Sequence, residues 1–322
     1  MATMLRTFLQ QFTRPIVTRR LASVALVLLA VRRSGDLQAQ DVASASRHAN
    51  DWSAVDEALG RKGAMQPGDV MKYGFPRGDL QVSVGGVPLK PALALGSWVA
   101  FRIVAGGHAM TMGDLVLLED EVGPVMRALQ QGGVELTALH NHVLTESPRV
   151  MYMHIAAHGD AVTIARTIRT ALGETHTPLG APASPPPGSA LDLDTATIAR
   201  TLGIAGKVNG GVYQVAVPRR ERIREGRNEI PSSMGVATAI NFQPTGGGKA
   251  AVTGDFVLRG AEVNAVIREL LKSGIAVSAL HSHMLTEEPR LFFMHFWAND
   301  DAAMLAKGLR AALDQTASQF RH

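Results

Sequence analysis

The 322-residue chain reads as an α+β protein built twice: two tandem antiparallel sheet domains, each with helices packed on one face. Three observations carry that reading. Residues 138–154, ALHNHVLTESPRVMYMH, return as residues 279–295, ALHSHMLTEEPRLFFMH, with 11 of 17 positions identical at a constant offset of 141. Around each copy the apolar period switches between that of a strand and that of a helix. A proline-rich stretch, residues 177–190, lies between the copies, as a tandem duplication requires.

Residues 1–40 read as a leader. Arg6, Arg14, Arg19 and Arg20 precede an apolar run, Leu21 to Val31. That run has the length of a signal-peptide core and falls short of the roughly 20 residues that span a membrane. A cleavage site is expected near Ala39. Thr18-Arg19-Arg20 resembles a twin-arginine export signal without the usual Phe-Leu, and Arg32-Arg33 leave an uncleaved anchor open. The expected location is therefore periplasmic or secreted, with no stable membrane span unless the leader is retained. The leader holds six Arg and one Asp, leaving 26 basic and 27 acidic residues in the rest, so the basic excess does not point to nucleic acid. With no cysteine, disulfides, thiolate ligands, a Cys nucleophile and a lipidated N-terminal Cys are excluded.

The first repeat domain is expected over 41–176 and the second over 191–322. Each opens on a helix, Trp52 to Gly60 and Asp194 to Gly203. Phe75-Pro-Arg77 is echoed by Val217-Pro-Arg219, and the strand start Gly113-Asp114 by Gly254-Asp255. Val122, Val125, Met126 and Leu129 are spaced as one helix face, repeated after Glu262, and Gly132-Gly133 and Gly274 supply stops. Asp160 and Asp301 read as N-caps of helices running to about Leu172 and Leu313. The order within a repeat is helix, two or three strands, then β-α-β-β-α. That order resembles a ferredoxin-like, split β-α-β sheet. Thr245-Gly-Gly-Gly-Lys249 lacks phosphate-loop spacing and reads as a hairpin.

The repeated passage carries the pattern H-x-H-x3-E-x7-H. His140 and His142 share a strand face by parity. A turn centred near residue 147, around Ser147-Pro148, places His154 directly opposite His140. Leu139, Val143, Met151, Met153 and Ile155 then face a core. The second copy places His281, His283 and His295 on one face, with Leu280, Met284, Phe292, Met294 and Phe296 on the other. Three neutral imidazoles with an open fourth position suit a divalent transition metal, zinc foremost, with copper, nickel and iron also acceptable. Glu146 and Glu287 are candidate general bases or extra ligands. Arg149 and Arg290 are candidates for an anionic substrate, though a salt bridge within the turn suits them better. Tyr152 and Phe293 share the histidine face and suit a pocket wall or packing between the halves. His108 and His158 have Lys249 and Asn299 at their counterparts and share no common role. A hydrogen-bonded histidine cluster without metal is the competing structural reading.

On these paired passages and their Gly-Asp strands, the chain resembles the LppY/LpqO family of exported bacterial proteins over roughly 45–322. The family's hallmark is a duplicated domain of unknown function, and the resemblance implies export and duplication. The lipid anchor of its mycobacterial members does not carry over, because there is no cysteine. Three functions compete: a metal-dependent enzyme, by default a hydrolase; a non-catalytic metal-handling protein; and a ligand-binding or interaction module jointed at the histidine face. The spacing also resembles that of bicupins, but helices interrupt each repeat and the third histidine comes too soon. Serine-hydrolase, zincin and nucleotide motifs are absent from the sequence.

Overall fold

Among the described residues, strands pair only within each half, and a short arm from each half lies across the other's sheet. The computed structural model describes residues 51–180 and 191–320. The expected leader and most of the proline-rich linker lie outside the described residues. From Trp52 onward the chain clusters as one unit. The first half contains α1 (Ser53–Leu59), β1 (Ala64–Gln66), β2 (Val70–Pro76), β3 (Ser83–Val84), β4 (Val87–Pro88), α2 (Pro91–Ala94), β5 (Gly96–Ile103), β6 (Ala109–Leu118), α3 (Glu119–Gln131), β7 (Glu135–His140), β8 (Glu146–Ser147), β9 (Val150–Gly159) and α4 (Ala161–Leu172). The second half contains α5 (Thr195–Leu202), β10 (Lys207–Asn209), β11 (Val212–Pro218), β12 (Ile223–Glu225), β13 (Asn228–Ile230), a 3-10 turn (Ser232–Met234), β14 (Ala237–Gly246), β15 (Lys249–Leu258), α6 (Val263–Lys272), β16 (Ala276–His281), β17 (Glu287–Glu288), β18 (Phe292–Asp301) and α7 (Ala302–Leu313).

Each half forms a six-stranded antiparallel sheet, ordered β1-β2-β5-β6-β9-β7 in the first and β10-β11-β14-β15-β18-β16 in the second. The helices start and stop where local chemistry directs. Asp160, Asp194 and Asp301 each accept from a backbone N–H three residues on, at 2.8–2.9 Å. Gly60 and Gly203 end α1 and α5 in the left-handed region that a side chain would strain. Val125, Leu129, Ile164 and Ile168 from α3 and α4 pack on Leu115, Met153 and Ile155 of the sheet. The second half matches with Val266, Leu270 and Leu309 on Phe256, Met294 and Phe296. Each such fully buried side chain contributes about 1.5–3 kcal/mol. Two buried guanidiniums tie the halves internally in the same way. Arg77 bonds Glu121, Asp79 and the Val116 carbonyl, and Arg219 bonds Glu262, Glu221 and the Val257 carbonyl. No helix among the described residues is long and apolar enough to cross a membrane.

The helix-free faces are covered by the other half. The segment from β3 to α2 lies on the second sheet, where Gln243, Asn241 and Gln214 donate to the carbonyls of Pro88, Leu93 and Ala92 at 2.7–3.0 Å. Reciprocally, β12, β13 and the 3-10 turn lie on the first sheet, held by Arg102 donating to the Glu229 carbonyl and Ile223, Ile230 and Met234 packing on Val70, Ala100 and Met110. Both arms also pair with the histidine-bearing loops: β3 with β8, and β12 with β17.

This corrects the expected tight hairpin. His140 lies opposite Tyr152, and His154 opposite Ala138, two residues from the expected register. The loop sets this register, because Glu146–Ser147 leaves the turn to join β3, and a bulge between Leu136 and Ala138 shifts the pairing by one residue beyond the histidines. Two residues per step preserve parity, so the histidine face survives the shift. Val143 and Met284 pack in the cores between the halves, not under helices, because the chain leaves the strand after His140 and His281. Leu139 and Leu280, on the edge strands, stay 38% and 47% exposed instead of entering the core.

Candidate metal centre

One row of residues crosses each sheet to the centre of the molecule. In the first half it runs Gly74, Trp98, Asp114, His154, Ala138, each directly opposite the next. In the second it runs Ala216, Ala239, Asp255, His295, Ala279. His140 and His281 end their edge strands, and His142 and His283 follow in the loops.

The two histidine triplets meet as one cluster. His140 stacks on His281 with ring centroids 3.5 Å apart, His142 on His295 at 3.8 Å, and His154 on His283 at 3.6 Å. At an offset of 141, the first pair maps onto itself and the other two exchange, so a pseudo-two-fold axis passes between His140 and His281. Hydroxyls lock this joint. Thr137 donates to the His283 carbonyl at 2.6 Å, and its counterpart Ser278 donates to the His142 carbonyl. Both hydroxyls sit at the strand bulges, which supply the residue that reaches across. Tyr152 and Phe293 back the cluster, stacking on His142 and His283.

The electrostatics are those of an uncompensated polar pocket. Ten buried side-chain nitrogens and oxygens lack a hydrogen-bond partner among the described residues. Eight of them are here: the Nε2 of all six histidines and one oxygen each of Asp114 and Asp255. Leaving such a group unpaired costs about 1–3 kcal/mol. Burial pulls His140 down to about 4 and His281 to about 3, and it holds the other four well below their ordinary value. Burial also pushes Asp114 up to about 8 and Asp255 well up, the latter helped by Asp114 itself. Nδ1 of His140 and of His295 lies 3.1 Å from the Asn141 carbonyl and 2.8 Å from the Gly254 carbonyl. A proton on Nδ1 there leaves Nε2 with a free lone pair, the form that ligates metals.

Two histidine groups have ligand atoms within 4.8 Å of one another: His140, His142 and His154; and His140, His281, His283 and His295. Either is geometrically able to hold a metal ion. A cleft of about 2090 Å³ between the helix-free faces reaches four of the histidines and both aspartates. Its wall is uneven. Lys72 lies 3.8 Å over the Trp98 ring and donates to the Ser233 carbonyl, while the equivalent Gln214 donates to the Ala92 carbonyl, so the two sides differ in charge.

The sequence-predicted residues divide. All six histidines converge. Glu287 is buried, accepting from Leu291 N–H at 2.8 Å and pairing with Arg290 at 3.2 Å, so it anchors its loop. Glu146 is half-buried on β8, and Arg149 is exposed with no ion pair among the described residues. His158 bonds Glu225 of the opposite arm at 2.8 Å. Asp114 and Asp255 are site residues that sequence reasoning passed over. Their signal was a carboxylate repeated inside an otherwise apolar strand.

Residues 53–174 and 196–315 each match the family described as "Domain of Unknown Function (DUF1259)". The chain belongs to this family. No curated protein matches it. Among solved structures, a trimeric bacterial microcompartment shell protein PduB is 13% identical, covering 78% of this chain and 90% of its own, with a TM-score of 0.20. EtuB from Clostridium kluyveri is 11% identical with the same coverage and a TM-score of 0.19. Superposition that loose transfers neither a fold nor a role.

Proposed function

We propose that this protein binds a divalent transition metal in one centre that both repeats build together. The observation that carries the reading is the set of six buried histidine Nε2 atoms without hydrogen-bond partners, gathered from two halves onto one axis. Neutral imidazole is the common ligand of zinc, copper, nickel and iron alike, and zinc is the first candidate. His140, His142, His154, His281, His283 and His295 are the proposed ligands. The adjoining cleft supports small-molecule access, so a metal-dependent hydrolase is the first catalytic reading. A bound metal supplies Lewis acidity and activates water. Glu146, not engaged in an ion pair among the described residues, is the freer of the two proposed bases, and Glu287 serves its loop. Arg149 is the freer of the two arginines proposed for an anionic substrate.

The second reading is a non-catalytic ligand-binding or interaction module with a structural histidine joint. The ring stacking and reciprocal hydroxyl bonds favour it, since they hold the halves together without a metal. Export of the mature chain, domains at 41–176 and 191–322, and kinship with the LppY/LpqO proteins remain part of the proposal on sequence grounds. A ferredoxin-like core in each half is also proposed, supported by β6 and β7 flanking β9 with α3 between them in sequence.

The test is the metal content of the purified, untagged chain beside a His140→Ala/His281→Ala variant. Near-stoichiometric metal that the variant loses supports the centre. A chain that stays empty after exposure to zinc, copper, nickel and iron leaves only the joint.

A further inference from the structure

The six histidines cannot all serve one ion as they stand. Ligand atoms on a single zinc-like ion lie about 2.0–2.2 Å from it, hence at most about 4.4 Å from one another. The donor atoms instead form two metal-capable groups that share His140, one with His142 and His154 and the other with His281, His283 and His295. Each side also brings its own carboxylate. Asp114 lies 3.8 Å from His142 Nε2 and 3.9 Å from His154 Nε2. Asp255 lies 3.3 Å from His283 Nε2 and 4.0 Å from the His295 ring. Three of these four separations are too long for hydrogen bonds. The three measured to Nε2 suit two ligands of one ion, which at the tetrahedral angle stand about 3.4 Å apart, whereas the fourth runs to His295 Nδ1, which lies against the Gly254 carbonyl. Each carboxylate keeps a buried oxygen without a partner, and it sits directly across the ladder from a histidine of its own group.

We infer that the centre holds two ions, one held by His140, His142 and His154 and the other by His281, His283 and His295, with Asp114 and Asp255, which stand outside both histidine groups in this arrangement, drawn in as the carboxylate ligands. This rests on the metal reading above and deepens it. Each position is then a three-nitrogen, one-oxygen set with its own negative charge, and the aspartates are ligands, not structural residues. Four of the six histidines and both aspartates line the cleft, so a small anion such as a phosphate or carboxylate entering there meets both ions at once.

The experiment is titration of the metal-free full chain with Co²⁺, counted by native mass spectrometry and followed by the visible absorption that reports low-coordinate cobalt. Asp114→Asn, Asp255→Asn and the double variant run beside it, with thermal melts to check folding. The expected result is two ions per wild-type chain. Each single variant should retain one ion and bind the other at least about tenfold more weakly. The double variant should be weakened at both positions. One ion per wild-type chain, or aspartate variants that still take up two with unchanged affinity, overturns the inference and leaves a single metal centre standing. No cobalt bound to the wild-type chain overturns the metal reading as well. The wild-type count decides even if a variant folds poorly.

Discussion

The two halves agree at one end of the central row and differ at the other. Toward the axis, Asp114 and His154 match Asp255 and His295, and the loop histidines, bulge hydroxyls and buried arginine clusters match as well. Toward the sheet's far side, Trp98 faces Ala239, and Lys72 faces Gln214 as counterparts. The difference separates two tasks. A centre on a pseudo-two-fold axis needs both contributions, so loss on either side leaves buried, unpaired donors. The cleft wall has no such constraint, and at this paired position only the first half carries an ammonium, Lys72. Burial, partly offset by Asp114, lowers that ammonium to about 8, so it gives up its proton just above neutrality.

The comparison can be broken first at the buried arginines. Arg77→Met and Arg219→Met should each cost about 3–5 kcal/mol, because each strands carboxylates in a dry site. Chemical denaturation of the two variants measures it. A loss below about 1 kcal/mol in one half alone would end the claim that the clusters are equivalent.

The centre itself should make the metal-free chain sensitive to pH in both directions. Its histidines titrate lower when folded than their ordinary 6.5, so unfolded chains take up more protons below that value. Stability is then lost as the pH falls from 6.5 toward about 4 and 3. Asp114 titrates higher when folded, so its contribution is lost as the pH rises from 3.8 toward about 8. Six histidines outweigh two aspartates on the acid side, and only the aspartates act above it. Melting temperature of the metal-free chain should therefore peak near 6.5 and fall on both sides. Saturating metal should raise it, adding about 2.7 kcal/mol of stability at a hundred times Kd. A flat profile in the metal-free chain would contradict the buried, uncompensated centre.

Smaller effects sharpen the joint. Thr137→Val and Ser278→Ala each remove one hydroxyl bond across the axis and should cost about 0.5–1.5 kcal/mol, equally in the two halves. At the loops the halves should part. Arg290→Ala breaks a pair with buried Glu287 and should cost up to about 1 kcal/mol, whereas Arg149→Ala should cost close to nothing. Thermal melts resolve both comparisons.

Much of this was legible in the sequence because it is local. The caps at Asp160 and Asp301, the stops at Gly132-Gly133 and Gly274, the hairpin at Thr245–Lys249 and the shared face of the histidines follow from spacing alone. What was not legible depends on contacts far apart in the chain. The bulges at Thr137 and Ser278 each shift the register by one, and the loops after His140 and His281 leave the turn to pair with β3 and β12, neither of which the apolar pattern reports. The arms at 83–94 and 223–234 are held by the opposite half, and nothing in their own residues names that partner. Asp114 and Asp255 were visible as a repeat and missed as site residues, since a lone carboxylate in a strand acquires its meaning only when the histidines fold against it.

The most direct test of the composite centre is an anomalous-scattering map from crystals of the metal-loaded chain, with data collected on both sides of the metal's absorption edge. The account predicts peaks among His140, His142, His154, His281, His283 and His295, disposed about the pseudo-two-fold axis. A map with no peak there, or with metal bound only at sites outside this cluster, would contradict it.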